Sequence, residues 1–259
     1  MERLRASDPT SVGGFELVGR LGAGGLGVVF LATRGGQSVA LKVMRDSLVE
    51  DPAARERFRR ESALLGGIDS PFVARIIDSG AEGDVAWFAT EFVNGPDLKS
   101  RVQQQGTLSE DQWLDFAVKL RAGLGAIHGQ GIIHRDIKPA NIVMSESGPK
   151  IIDFGIAQLS DVTSVTSTGV VAGSPAWFSP EQFDGEELTA ATDLFSAGSV
   201  LAYAATGKTP WGDPDTMTRA QSYRIGMSEP DLTGLTPRQA TVVASLVETD
   251  PHRRVFLDP

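Results

Sequence analysis

The stretch His134-Arg135-Asp136-Ile137-Lys138-Pro139-Ala140-Asn141 constrains this 259-residue chain more than any other. It places an acid, two basic side chains and an amide within eight residues. Pro139 has no N–H to give to an ordinary helix, so the stretch reads as a structured loop, and the apolar pair Ile132-Ile133 before it reads as a strand-like run. Twelve residues after Asn141 stands Asp153-Phe154-Gly155, itself preceded by the apolar pair Ile151-Ile152. Two strands there would deliver Asn141 and Asp153 to one edge. An amide oxygen beside a carboxylate suits a hard cation such as Mg²⁺. Either triplet alone could be a solvated polar loop; both together, in this order and spacing, argue for chemistry.

With these residues the chain resembles the eukaryotic-type serine/threonine protein kinases, whose catalytic loop reads H-R-D-x-K-P-x-N and whose metal motif reads D-F-G. Composition leaves room for that reading. Apolar residues make 41% and charged residues 22%, values of an ordinary globular chain that can bury one large core or two smaller ones. The absence of cysteine excludes disulfides and thiol chemistry and fits a reducing compartment. A net charge of −9 without a basic tract argues against nucleic acid as a partner. There is no apolar run of about 18 residues and no signal-type N-terminus, so this polypeptide is not expected to contact a membrane.

Taken in order, residues 1–13 are polar and read as a loose lead-in, and a strand from Phe15 to Arg20 then enters Leu21-Gly22-Ala23-Gly24-Gly25-Leu26-Gly27. Glycines at 22, 24 and 27 let the backbone approach a ligand and turn amides towards phosphate oxygens. A dinucleotide fold would start a helix at the last glycine; here Val28, Val29 and Phe30 follow, so the loop joins two strands. The next strand, Ser38 to Met44, puts Val39, Leu41 and Val43 on one face and Ala40, Lys42 and Met44 on the other. Lys42 is the one charge on its face. A helix starts at Asp51-Pro52 and ends at Gly66-Gly67, and on it Glu61 interrupts an apolar stripe of Ala54, Phe58 and Leu65. A strand from Val85 to Phe92 is broken by Asn94-Gly95-Pro96. Ser109 with Gln112 forms a capping box for a helix reaching about Gly129, with Trp113, Phe116, Ala117 and Leu120 as its buried face.

Residues 160–169 are rich in Ser and Thr without periodicity. They lead through Ala172-Gly173-Ser174-Pro175 to Ser179-Pro180-Glu181. Asp193 opens an apolar helix running to about Thr206, and Arg254 follows Asp250-Pro251.

The resemblance covers residues 15 to 254 and lies nearest the bacterial, PknB-like branch. It implies an α+β, bilobal protein kinase fold: residues 1–93 a small antiparallel-sheet lobe with one main helix, 94–96 a hinge, and 97–259 a larger, mostly helical lobe. ATP would lie between the lobes. By the same resemblance Asp136 orients the substrate hydroxyl and accepts its proton, Lys138 meets the γ-phosphate, and Asn141 and Asp153 hold Mg²⁺. The nucleotide would meet Leu21, Gly22, Ala23, Gly24, Gly27, Val29, Ala40, Thr90 as gatekeeper, the backbone of Glu91 and Val93, and Val143. Lys42 would hold the α- and β-phosphates, positioned by Glu61. Ser174 would bridge Asp136 and Lys138, Asp193 would brace the catalytic loop, and Arg254 would pair with Glu181.

Lys138 favours serine and threonine of proteins as acceptors, because tyrosine-specific members usually lack it. Thr166 and Thr168 match the doubly phosphorylated V-T-x-T segment of PknB-like kinases, with Arg135 as the cation that receives the phosphate. Autophosphorylation in trans would require self-association. The resemblance implies a cytoplasmic kinase, or the cytoplasmic domain of a membrane-anchored receptor kinase. The chain ends five residues after Arg254, short of the family's usual final helix, which implies a truncated and less stable lower lobe. Two rivals share much of the pattern: a pseudokinase scaffold, which would have lost the lysine or an aspartate retained here, and a small-molecule kinase, which would lack the Ser/Thr-rich loop and A-P-E-like element.

Overall fold

Alternating apolar and polar side chains build a sheet from the first 93 residues. The computed structural model describes residues 1–24, 27–44, 52–82, 85–154, 175–217, 225 and 228–259; the side chains of 52–55, 57, 61 and 82 lie outside that description. Thr166, Thr168, Ser174, Gly155 and the Glu61 side chain are therefore outside the described residues.

The described residues fall into two units, 1–93 and 94–154 with 175–259. In the first, strands β1 (Ser11–Val12), β2 (Phe15–Gly24), β3 (Gly27–Arg34), β4 (Gln37–Met44), β5 (Ile76–Glu82) and β6 (Val85–Glu91) form one antiparallel sheet in the order β1-β2-β3-β4-β6-β5. Helix α1 spans Pro52–Leu65. One face of the sheet buries Phe15, Leu17, Phe30, Ala32, Val39, Leu41, Trp87 and Ala89 together, with Val43 against them. Trp87 meets Phe15 edge-on at 5.5 Å. The indole fits because Gly13 and Gly80 flank it; a Cβ on either would fall 2.1 and 2.7 Å from its ring atoms.

Residues 1–13 are not a loose lead-in. Glu2 and Arg20 exchange two backbone hydrogen bonds of 2.9 Å, β1 pairs with β2, and Asp8 is joined to Arg20. Polar groups of this largely exposed segment also make hydrogen bonds and an ion pair along the outer edge of β2.

In the second unit, α2 (Leu98–Gln105) is capped by Asp97, and α3 (Glu110–His128) carries the Ser109/Gln112 capping box. Strands β7 (Ile142–Ser145) and β8 (Gly148–Ile151) form a hairpin, followed by α4 (Pro180–Asp184), α5 (Ala190–Thr206) and α6 (Pro237–Leu246). Trp113, Phe116, Leu120 and Ile127 of α3 are buried, and the Trp113 indole N–H donates to the Leu201 carbonyl of α5 at 2.8 Å. Gly198 lets α5 come close to the end of α6: a Cβ there would lie 2.7 Å from Val247.

Two local expectations change. Ile132-Ile133 forms no strand; the Ile132 N–H closes back onto the Ile127 carbonyl, so this pair is the exit from α3. Helix α5 begins at Ala190, capped by Thr189, which puts Asp193 within its first turn, not at its start. Among the described residues no helix is long and apolar enough to cross a membrane.

Candidate active site

The loop from His134 to Asn141 takes its shape from a carboxylate on α5. Asp193 is only 1% exposed, and its two oxygens accept the backbone N–H groups of His134 and Arg135, each at 2.8 Å. Its Oδ2 also lies 2.8 Å from His128 Nε2 at the end of α3. Two donated backbone bonds fix a conformation that is otherwise costly: Arg135 has φ of 68°, in the left-handed region that side chains with a Cβ disfavour. Gln182 on α4 holds the other side of that residue, its amide donating to the Arg135 carbonyl at 3.0 Å while its oxygen accepts the Ser179 N–H at 3.0 Å.

Helix α4 is itself tied down by Glu181, which meets Arg254 in a two-pronged pair of 2.6 and 2.9 Å, both side chains buried. Burial alone would push the Glu181 carboxyl up, but hydrogen bonds from Arg254 and Thr192 outweigh it and hold the group below its ordinary pKa. Arg254 spends its remaining donors on the carbonyls of Glu248, Ala191 and Thr249, so the buried pair is fully hydrogen-bonded.

His134 is completely buried, and burial holds its imidazole below the ordinary pKa, outweighing nearby Asp193 and Asp136. The neutral tautomer with the proton on Nε2 satisfies both ring nitrogens: Nε2 donates to the Ile152 carbonyl at 3.2 Å, and Nδ1 accepts the Asp136 N–H at 3.3 Å. The histidine thus joins the loop to the segment that carries Asp153.

Two side chains, Lys138 and Asn141, converge on Asp136. Lys138 Nζ reaches both carboxylate oxygens at 3.0 and 2.7 Å, and Asn141 Nδ2 donates to Asp136 Oδ2 at 2.9 Å and to its carbonyl at 2.8 Å. Pro139 starts a single 3-10 turn, Pro139–Asn141, instead of a helix. The β7–β8 hairpin pairs Ile142 with Ile151, and the Ile152 N–H bonds the Asn141 carbonyl at 2.9 Å, so Asn141 and Asp153 emerge from the same end of the hairpin. Asp153, like Arg135, is left-handed, with φ of 60°. Val143 is buried in β7, bridged to Asp97.

In the first unit, β2 and β3 pair Gly22 with Val29, Ala23 with Val28 and Gly24 with Gly27. Gly27 has φ of 155°, and a Cβ there would strike the Val43 carbonyl at 2.2 Å, so the close approach of β3 to β4 requires glycine. Leu21 is partly exposed. Lys42 is buried, paired across the sheet with Val29 and Phe88, its ammonium 5.8 Å from the Phe88 ring. Ala40 lies opposite Thr90, and the Glu91 N–H is taken by the Arg75 carbonyl at 2.9 Å. Val93 is half-buried.

Sequence reasoning named Asp136, Lys138, Asn141, Asp193, Glu181 and Arg254, and missed Gln182 and His128. The capping-box spacing of Ser179 and Gln182 was visible, but it signals a helix start and says nothing of a bond to Arg135.

Comparison with known proteins bears on what this arrangement does. A family described as "Protein kinase domain" matches residues 15–257. The chain is 38% identical over 252 residues to the serine/threonine-protein kinase AfsK of Streptomyces griseus, covering 96% of this chain and 31% of that protein. It is 42% identical over 212 residues to the probable serine/threonine-protein kinase PkwA of Thermomonospora curvata, covering 82% of this chain and 29% of that one. The chain therefore spans about a third of the length of these curated relatives. Among solved structures, the Mycobacterium tuberculosis PknI kinase domain superposes with a TM-score of 0.74 at 23% identity, over 97% of this chain and 94% of that one, a likeness of fold. Rad53 residues 1–466 in complex with AMP-PNP gives a TM-score of 0.76 at 25% identity, over 94% of this chain and 62% of that one.

Proposed function

Because this chain belongs to the protein kinase family, we propose that it transfers the γ-phosphate of ATP to serine and threonine hydroxyls of proteins. The observation that carries the reading is the Asp136 carboxylate, held at once by Lys138 and Asn141 on a loop whose backbone is fixed by Asp193. Phosphoryl transfer demands positioning and charge neutralisation more than covalent help. Asp136 orients the acceptor hydroxyl and takes its proton. Lys138, already poised on that carboxylate, turns to the γ-phosphate, and Lys42 holds the α- and β-phosphates, positioned by Glu61. The nucleotide rests on Leu21 to Gly24, Gly27, Val29, Ala40, Thr90 and Val143 and on the backbone of Glu91 and Val93.

The donor set at Asn141 and Asp153 fits Mg²⁺. Asn141 Nδ2 is committed to Asp136, so the amide oxygen, a hard donor, would be the atom to hold the cation together with the Asp153 carboxylate. Mg²⁺ bound there supplies charge neutralisation for the phosphates. The lobes are read as residues 1–93 and 97–259 with 94–96 as the hinge, and the use of ATP fits a cytoplasmic location.

We further infer activation by phosphorylation of Thr166 and Thr168, in trans between two copies. The supporting observation is Arg135, whose buried Nε has no hydrogen-bond partner among the described residues. A phosphothreonine brings a charge of about −1.5 to −2 and three acceptor oxygens, which suits that cation. The test offers a generic protein substrate and small alcohols side by side, with Mg²⁺ and ATP, to wild type and to Asp136→Asn. Protein phosphorylation by wild type alone is expected; transfer to the alcohols only, or to nothing, would reject the reading. Mass spectrometry of the same samples reads Thr166 and Thr168. Active enzyme with both threonines unmodified would reject the activation step alone.

A further inference from the structure

Strand β2 leads into the glycine-rich turn, and its register against β3 is irregular on both sides of Arg20: the pairing shifts between Leu17 and Gly19 and again between Arg20 and Gly22. Two bulges within a few residues bend and twist the strand locally, so the direction in which β2 enters the turn is set around Arg20. Contacts that hold the outer edge at Arg20 therefore bear on where Gly22 and Gly24 lie.

Residues 1–8 occupy that edge. Glu2 and Arg20 trade both of their backbone hydrogen bonds at 2.9 Å, and the strand can come this close because residue 19 is glycine. A Cβ on Gly19 would lie 2.9 Å from the Glu2 carbonyl and 3.1 Å from the Met1 side chain. The Arg20 guanidinium then grips Asp8 side-on, Nε to Oδ2 at 2.8 Å and Nη2 to Oδ1 at 2.5 Å, with the two side chains only 10% and 5% exposed. Asp8 Oδ2 also accepts the Arg5 N–H at 2.8 Å, closing the turn that returns the segment to β1. Planar two-pronged geometry fixes direction as well as distance. An ion pair this shielded is an expensive means of adding stability alone, because both charges lose hydration. Its geometric content is what singles it out.

We propose that Asp8 and Arg20 are positioning residues for ATP: their pair clamps β2 two residues ahead of Gly22 and so sets the approach of the glycine-rich backbone to the nucleotide phosphates. The proposal rests on the kinase reading above. Neither residue touches the nucleotide; both act through the backbone of β2. Misplacement of a binding element by about 1 Å far from the chemistry can cost up to about 10²-fold, so a partial loosening should appear as a rise of about five- to tenfold in KM for ATP.

The experiment compares wild type with Asp8→Asn, Arg20→Gln and the conservative Arg20→Lys. It measures AMP-PNP affinity by calorimetry and KM and kcat for ATP and for protein substrate, at a temperature where circular dichroism shows each variant folded. Expected are weaker AMP-PNP binding and a raised KM for ATP in Asp8→Asn and Arg20→Gln, with kcat and the KM for protein substrate within about twofold of wild type. Arg20→Lys, which keeps the charge but loses the fork, should fall in between. If Asp8→Asn does not fold, Asp8→Glu, which keeps the charge but carries the carboxylate out of register with the guanidinium fork, gives the same reading. Unchanged nucleotide affinity in folded variants overturns the clamp while leaving the kinase reading standing, as does a uniform loss of kcat without a change in KM for ATP. Wild-type protein that binds no nucleotide overturns the kinase reading and the clamp with it.

Discussion

The loop around Asp136 and the sheet that carries Lys42 are held by different forces. In the sheet, position comes from apolar burial: Phe15, Leu17, Phe30, Val39, Leu41 and Trp87 fill one face, and non-directional contacts share the work among many side chains. In the loop, position comes from a few directional hydrogen bonds: Asp193 and the Ile152 carbonyl accept from His134 and Arg135, and Gln182 donates to the Arg135 carbonyl. Distributed packing tolerates small changes at a modest cost in stability. A strained backbone held by two or three hydrogen bonds does not, because the left-handed Arg135 relaxes as soon as a bond is removed. The loop should therefore lose function before stability, and the sheet stability before function.

The strongest test of that contrast is the chemistry itself. Asp136→Asn preserves shape and one acceptor oxygen for Lys138 and Asn141 but removes the base, and should lower transfer by roughly 10²–10⁴ while the unfolding midpoint moves little. Near-normal turnover in folded Asp136→Asn would break the assignment of the base. Arg254→Ala comes next. It strands Glu181, 3% exposed, without its cation, and removal of one partner from a buried pair costs about 3–5 kcal/mol. Because α4 also carries Gln182, this variant should lose both stability and activity; calorimetric unfolding close to wild type would show that the pair does not anchor the helix.

A paired measurement sharpens the comparison. Gln182→Leu leaves the Arg135 carbonyl without its donor, a loss of about 1–3 kcal/mol concentrated on the catalytic loop. Gly80→Ala sets a methyl 2.7 Å from the Trp87 indole, overpacking worth a similar 1–3 kcal/mol, but in the sheet core. Phosphotransfer should fall far more in Gln182→Leu than in Gly80→Ala at equal loss in denaturant midpoint. Equal activity losses would mean that the two regions respond as one and that the distinction drawn here has no functional content.

What the sequence disclosed follows the same division. The residues to which we assign the chemistry were legible because family motifs set them at fixed spacing: Asp136, Lys138 and Asn141 in one loop, Asp153 after β8, Lys42 alone on its strand face. The face of α3 and the core-facing residues of β4 were legible from periodicity, since burial repeats with the geometry of the element. Residues whose role is a bond to a distant partner had no such signal. Gln182 reaches Arg135 across 47 positions, and the pairing of Asp8 with Arg20 is no clearer from composition, which makes residues 1–13 look merely hydrophilic. Ile132-Ile133 erred in the opposite direction: an apolar pair suggests a strand, but here it closes the end of a helix.

The smallest expected effect concerns the Asp8–Arg20 pair at the sheet's outer edge, where the sheet borrows the loop's directional mode of attachment. The hydrogen bond from Arg20 holds the Asp8 carboxyl at about 2, below its ordinary 3.8, in spite of the opposing effect of burial. A carboxylate with a depressed folded pKa binds fewer protons folded than unfolded, so its contribution is complete above the unfolded value near 3.9 and is lost as pH falls towards about 2. Between neutral pH and about 5 the pair should therefore be insensitive to acid, and the stability difference between wild type and Asp8→Asn should stay constant across that window. Below it the difference should shrink as the wild-type carboxyl takes up its proton. Carbon-13 NMR of the side-chain carboxyl reads the midpoint directly: a titration near 2 is expected, and one near 3.8 would show that Arg20 does not grip Asp8 in solution and that the sheet stands on its apolar core alone.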